Sequence, residues 1–275
     1  MKVSRILTIF TALTVLLLAA CGTDTSNTEE NKTTIKVGTS PGPYSELFLD
    51  VVAPILEDEG YEIETTDFTE LLQADIALDE GSIDLNVDQH TAYFENFNNE
   101  KNANLTKITP IPTVPTGIFP GRKDSLDDIE EGDVIGIPKD PSNAARAYAL
   151  LEKAELITIE DDVDLVQLTQ SNIVENKYNL DIQEMDSAQI PRALEDLDYG
   201  VIPGSIVYSS GLDASTSLLH EDILKDLELV AVVDEKNKDT DWAKAVKEAY
   251  QSDEFKAYLD EHNQDDYWFI PEEIR

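Results

Sequence analysis

The segment Ile137-Pro-Lys-Asp-Pro-Ser-Asn-Ala-Ala-Arg146 carries the clearest chemistry in the chain. An apolar run ends, two prolines turn the backbone, and a helix is predicted over 143–154, with Asp140, Ser142 or Asn143 as its cap. A helix start offers unpaired backbone N–H groups. Arg146, expected in the first turn, adds a planar fork that fits a carboxylate through two parallel hydrogen bonds. Positive charge at that end opposes the helix dipole, so the placement has a local cost. That cost points to a binding duty, set against the plainer reading of a surface arginine paired with one of many acids.

A second cluster, Asp84-Leu-Asn-Val-Asp-Gln-His-Thr-Ala-Tyr93, runs from a strand through a polar turn into an amphipathic helix bearing Tyr93, Phe94 and Phe97. His90 and Tyr93 stand three apart and can share one face. His90 is read either as a structural residue of the helix start or as a ligand contact. Catalysis has little to draw on: the histidines are His90, His220 and His262, and Cys21 is the one cysteine. There is no nucleophile elbow, no glycine-rich phosphate loop and no zinc-ligand spacing. No catalytic residue, metal or cofactor is expected, and the chain reads as a binding protein, not an enzyme.

Two α/β series must position these clusters. The first predicts strands over 35–39, 61–67 and 83–87 with helices near 45–57 and 70–79; the alternation argues for parallel sheets. A proline-rich crossing over 109–121 interrupts it. The second series has strands over 133–137, 181–185 and 199–202. The apolar strand 227–233 and helices over 241–251 and 253–262 then return to the first body. The expected organisation is domain I from 35–120 plus 227–275 and domain II from 121–226, both α/β, with a ligand cleft between them.

The start of the chain has another purpose. Lys2 and Arg5 precede an apolar run, Ile6 to Leu18, too short to span a bilayer comfortably, and Leu18-Ala-Ala-Cys21 follows. Residues 1–20 are read as a lipoprotein export signal, Cys21 as the lipidated mature N-terminus, and 21–34 as a polar tether free of apolar side chains after the cysteine. Extracytoplasmic attachment to the cell membrane through the lipid is the expectation. With 57 acidic against 20 basic side chains and a net charge of −37, the chain repels polyphosphate, and nucleic acid is excluded as a partner.

Five motifs occur in order: Ile35-Lys-Val-Gly38, Asp84-x-Asn86 with Gln89-His90, Pro138-x-Asp140-Pro141-x-Asn143-x-x-Arg146, Gln189-x-Pro191-Arg192-Ala193-Leu194, and Ala249-Tyr-Gln-Ser-Asp-Glu254. Over residues 35–270 the chain resembles the NlpA-type methionine-binding lipoproteins of ABC importers. The resemblance implies a two-domain type II periplasmic-binding-protein fold that closes on a free amino acid, with methionine favoured. It also implies delivery to a membrane permease driven by a cytoplasmic ATPase. By motif position Arg146 grips the ligand carboxylate, Asn143, His90 and Tyr93 line the cleft, and Asp88, Gln89, Phe68 and Pro203 complete the expected ligand set.

Three departures bear on specificity. Asp88 replaces an aromatic before Gln-His, Leu71 stands where the family usually has a tyrosine, and Pro203 replaces an asparagine. If Asp88 faces the pocket, a more polar or cationic amino acid, or a small peptide, becomes the alternative ligand; if it points away, methionine still fits. A surface-interaction lipoprotein that has lost transport is the reading from another class.

Overall fold

The computed structural model describes residues 33–263 and 267–275. The export signal, Cys21 and all of the tether but Thr33 and Thr34 lie outside the described residues. Strand β1 (Thr34–Thr39) is followed by a long first helix, α1, made of Pro43–Leu47, a π-helical stretch Phe48–Val52 and Ala53–Asp58. Then come β2 (Glu62–Asp67), α2 (Leu71–Asp79), β3 (Leu85–His90), α3 (Thr91–Lys101) and β4 (Leu105–Pro110). The chain crosses to β5 (Gly117–Pro120), β6 (Val134–Pro138), α4 (Pro141–Lys153), β7 (Ile157–Ile159), β8 (Ile173–Asn176) and β9 (Asp181–Met185). It continues through α5 (Ile190–Ala193), β10 (Tyr199–Ile202), α6 (Gly204–Ser210) and β11 (Leu219–His220), and returns through β12 (Leu229–Asp234), α7 (Asp241–Gln251) and α8 (Asp253–His262).

The strands form two five-stranded sheets, ordered β2-β1-β3-β12-β4 and β11-β5-β10-β6-β9, and β7 pairs with β8 alone. Both large sheets are mixed, which corrects the all-parallel expectation: β12 runs antiparallel to β3 and β4, and β5 antiparallel to β10 and β11. Each sheet takes one strand back across the molecule, and a returning strand enters in the reverse sense. The expected domain boundary at 120 also shifts. β5 is hydrogen-bonded within the second sheet, so the first crossing ends before Gly117.

Alternation along the inner strands buries both faces, whereas the edge strands β2 and β9 stay largely exposed. In β12, Ala231 and Val233 join a core with Phe48, Val52 and Leu56 of α1 and Trp242, Val246 and Tyr250 of α7, while Val230 and Val232 join Leu78, Phe94 and Phe97 on the other face. The second sheet repeats the arrangement, with Ile135, Ile137 and Val201 against Ala145, Tyr148 and Leu151 of α4, and Ile202 against Ile190 and Val207. Each such fully buried aliphatic side chain contributes about 1.5–3 kcal/mol relative to exposure. Thr240 and Ser252 cap α7 and α8 by accepting from Ala243 N–H at 3.3 Å and Phe255 N–H at 3.1 Å.

Two crossing segments connect the sheets and lie side by side. Ile111 N–H donates to the Leu229 carbonyl at 2.8 Å, Leu229 N–H to Thr113 Oγ1 at 2.9 Å, and Glu221 N–H to the Thr116 carbonyl at 3.0 Å. Tyr44 of α1 is fastened to the first crossing, its hydroxyl accepting from Val114 N–H at 3.1 Å. Among the described residues no helix is long and apolar enough to cross a membrane.

Candidate functional site

Between the sheets lies a cavity of about 530 Å³ whose walls come from both. Ser40 to Tyr44, Leu71 and Asp88 to Tyr93 approach from the first sheet; Lys139 to Arg146, Asp186 to Arg192 and Pro203 to Ser209 approach from the second. The starts of α1, α2, α4 and α6 face this space, so backbone N–H groups surround it.

Helix α4 begins at Pro141, with Asp140 as its cap: Asp140 Oδ1 accepts from the Asn143 backbone N–H and from Asn143 Nδ2, both at 3.0 Å. Arg146 therefore falls in the second turn, not the first, and the expected conflict with the helix dipole is largely relieved. Its side chain is 4% exposed. The side-on edge of the guanidinium is occupied: Nε donates to Glu221 Oε2 at 3.0 Å, and Nη2 donates to Glu221 Oε1. Nη1 donates to Asn143 Oδ1 at 3.2 Å. Glu221 itself is 6% exposed and accepts from Thr116 N–H at 2.6 Å. Burial works against the Arg146 charge, but Glu221 outweighs it and holds the guanidinium above its ordinary pKa. Arg146 is thus neither a free clamp nor a surface arginine. One N–H on each of Nη1 and Nη2 remains for a ligand.

His90 closes β3 and caps α3 with no intervening turn, its Nδ1 accepting from Tyr93 N–H at 3.2 Å. That bond assigns the proton to Nε2, which is buried and unpartnered on the cavity wall. Burial, then the Arg146 charge, lowers the imidazole pKa to about 3 against a smaller upward pull from Asn143, so His90 is a neutral donor. Tyr93 meets its ring edge-on, with centroids 6.2 Å apart.

A bulge in β3 decides where Asp88 and Gln89 go. His90 and Gln89 pair with Leu229 and Val230, yet Asn86 pairs with Val232, so Val87 and Asp88 together oppose Ala231. Asn86 Oδ1 accepts from the bulged Asp88 N–H at 3.1 Å. The side chain of Asp88 consequently turns toward α1, where Ser45 Oγ donates to its Oδ2 at 2.8 Å. Gln89 turns to the opposite face and donates to Asp75 Oδ1 at 2.5 Å. Burial raises the carboxyl of Asp88 to about 7, opposed by the Ser45 hydrogen bond, and burial likewise raises Asp75 to about 7, opposed by Gln89.

Of the sequence-predicted ligand residues, Arg146, Asn143, His90, Tyr93, Asp88, Gln89 and Pro203 all border the cavity. Phe68 does not. Its ring packs beside Ile83 over Gly38, where a Cβ would come within 3.3 Å of it, and so serves the core below the wall. Sequence reasoning missed Ser45, Tyr44 and Glu221. Glu221 is one acid among many with no local signature; the only clue is that a buried arginine requires a counterion. Among the described residues no cluster of histidine and carboxylate side chains is placed to hold a metal ion.

The NlpA lipoprotein profile matches residues 35–270. The chain belongs to the NlpA lipoprotein family. It is 32% identical over 256 residues to outer membrane lipoprotein 3 of Mannheimia haemolytica, covering 92% of each chain. It is 31% identical over 242 residues to the D-methionine-binding lipoprotein MetQ of Salmonella typhi, covering 87% of this chain and 88% of that one. A nutrient-binding protein from Burkholderia cenocepacia, solved bound to methionine, superposes with a TM-score of 0.79 at 30% identity, covering 86% of this chain and 99% of that one. This NlpA-family chain has the two-domain type II periplasmic-binding-protein-like fold, and its family is one of substrate-binding proteins, not enzymes.

Proposed function

We propose that this protein is the lipid-anchored, extracytoplasmic substrate-binding subunit of an ABC amino-acid importer, handing its cargo to a permease driven by a cytoplasmic ATPase. The observation that carries the reading is the convergence of Arg146, Asn143 and His90 from opposite sheets on one cavity. A ligand carboxylate fits the two remaining Arg146 N–H groups and the His90 Nε2–H, and the ligand's contacts with both sheets favour the closed arrangement. The crossings over 111–116 and 221–228 supply the hinge in this reading, with domain I on one side and domain II on the other.

Methionine is the ligand named for relatives and is the reference cargo. Asp88 on the cavity wall favours the second reading, a more polar or cationic amino acid. Calorimetric titration of the full-length protein in detergent, freed of copurified ligand by unfolding and refolding, tests the function with a panel of free amino acids including both methionine enantiomers. Saturable binding of an amino acid, lost in Arg146→Ala, supports the proposal. Binding of none leaves a surface-interaction lipoprotein as the reading.

A further inference from the structure

Asp88 has no cationic partner among the described residues, although it stands on a cavity wall among several charged groups. Of the three basic residues on the cavity wall, Arg146 is held by Glu221 and Lys139 by Asp186 at 3.2 Å, and no ion pair joins the third, Arg192, to Asp88. Asp88 is met by neutral donors alone, the Ser45 hydroxyl at 2.8 Å together with the Ser40 side chain and the Ser40 and Ser45 backbone N–H groups, and Ser45 Oγ itself accepts from Ser40 N–H at 3.0 Å. Beneath it, Tyr250 of α7 is fully buried with its hydroxyl unpartnered, and Asp88 is the charge acting on that hydroxyl. The bulge opposite Ala231 turns the carboxylate toward this place, and the Asn86 side chain secures the bulged N–H.

A thioether or alkyl side chain closing over this carboxyl would remove its remaining water and supply no counter-charge. A ligand bringing an ammonium or guanidinium removes the same water and supplies the missing charge. Also bordering the cavity, the unpartnered His90 Nε2–H and the free Arg146 N–H groups require an acceptor. The cavity therefore asks for an acceptor and a cationic donor on one ligand.

We propose that the ligand is an amino acid with a cationic side chain, its carboxylate at Arg146 and His90 and its side-chain cation paired with Asp88. This rests on the reading that the cavity binds a free amino acid, and it assigns Asp88 as the specificity-determining residue.

The test is calorimetry on the refolded full-length protein with lysine, ornithine and arginine against norleucine, which matches the lysine side chain without its ammonium, and against methionine. The expected result is that at least one cationic amino acid binds about tenfold or more tighter than norleucine and methionine, and that Asp88→Asn removes most of this preference. The wild-type panel decides by itself if the variant does not fold. Methionine or norleucine binding as tightly as the cationic amino acids overturns this inference and leaves the amino-acid-binding function standing. Binding of no amino acid overturns both.

Discussion

Arg146 and Glu221, 75 residues apart in the chain, form a buried bidentate ion pair that joins the cavity wall to the crossing segments. Glu221 also takes the Thr116 N–H and gives its own N–H to the Thr116 carbonyl. One carboxylate thus links the site's arginine to both crossings, and the fork that would grip a ligand side-on already holds an internal partner.

Removing one partner strands the other in a poorly hydrated site. Arg146→Ala is expected to abolish amino-acid binding and also to lower the unfolding free energy by about 3–5 kcal/mol. The double replacement Arg146→Met with Glu221→Met is expected to recover most of that stability without recovering binding. Urea denaturation of the three proteins checks it; a single variant as stable as wild type would mean that the pair is not energetically buried.

The raised Asp88 carboxyl sets a pH dependence whose sign follows from proton counting. Between about pH 4 and 7 the folded protein holds a proton on Asp88 that the unfolded chain has released, so this group takes stability away as pH rises through that window. Asp75 acts in the same direction, whereas His90, lowered to about 3, takes stability away as pH falls below about 6.5. Asp88→Asn without ligand is therefore expected to gain on wild type as pH rises, by at most about 1.4 kcal/mol per unit. Denaturation at about pH 4.5 and about pH 7.5 measures the gap; a gap that shrinks toward pH 7.5 would mean that the ionised carboxylate is well stabilised.

Tyr208 of α6 and Glu46 of α1 meet across the cleft through a hydroxyl–carboxylate hydrogen bond, which raises the tyrosine pKa to about 12. Tyr208 is exposed, so the bond adds little to folding but joins the two sides when they are together. Tyr208→Phe is expected to weaken ligand affinity by several-fold, equivalent to about 1 kcal/mol, with an unchanged melting temperature without ligand. Titration with the bound amino acid reads the first quantity and calorimetric melting the second; unchanged affinity would show that the contact is incidental to closure.

Cys21→Ser is expected to leave the protein unprocessed or released from the membrane fraction, with ligand affinity unchanged. Fractionation and mass measurement of the N-terminus check it, and normal lipid modification of the variant would overturn the export reading of residues 1–20.

Local chemistry was legible in the chain wherever one short segment decides the outcome. Alternation and capping gave α7 and α8 their bounds, because Thr240, Ser252 and the apolar stripe between them act within a few residues. Asp140 and Pro141 likewise marked the start of α4, although two residues earlier than the periodicity suggested, which moved Arg146 out of the first turn. The resemblance to the NlpA family brought Arg146, Asn143, His90 and Tyr93 forward as one group, and all four border the cavity.

What the chain determined by itself is the longer helices and the strands of the two α/β series, though not β4, β5, β7, β8, β11, α5 or α6, together with the strongly acidic character and the residue types able to bind a small zwitterion. Tertiary structure alone decided their partners and directions. Glu221 reaches Arg146 only because two crossings lie side by side, and no local pattern distinguishes it from the other acids. Asp88 turns toward α1 only because β3 bulges against Ala231; strict alternation would have turned it with Asn86 to the other face. Phe68, aromatic and close in sequence to Leu71, faces the core over Gly38 and not the cavity, since the packing of Ile83 leaves it that place. Sequence separation is the common reason: periodicity and caps act over a few residues, while ion pairing, bulging and side-chain direction depend on strands brought together from distant parts of the chain.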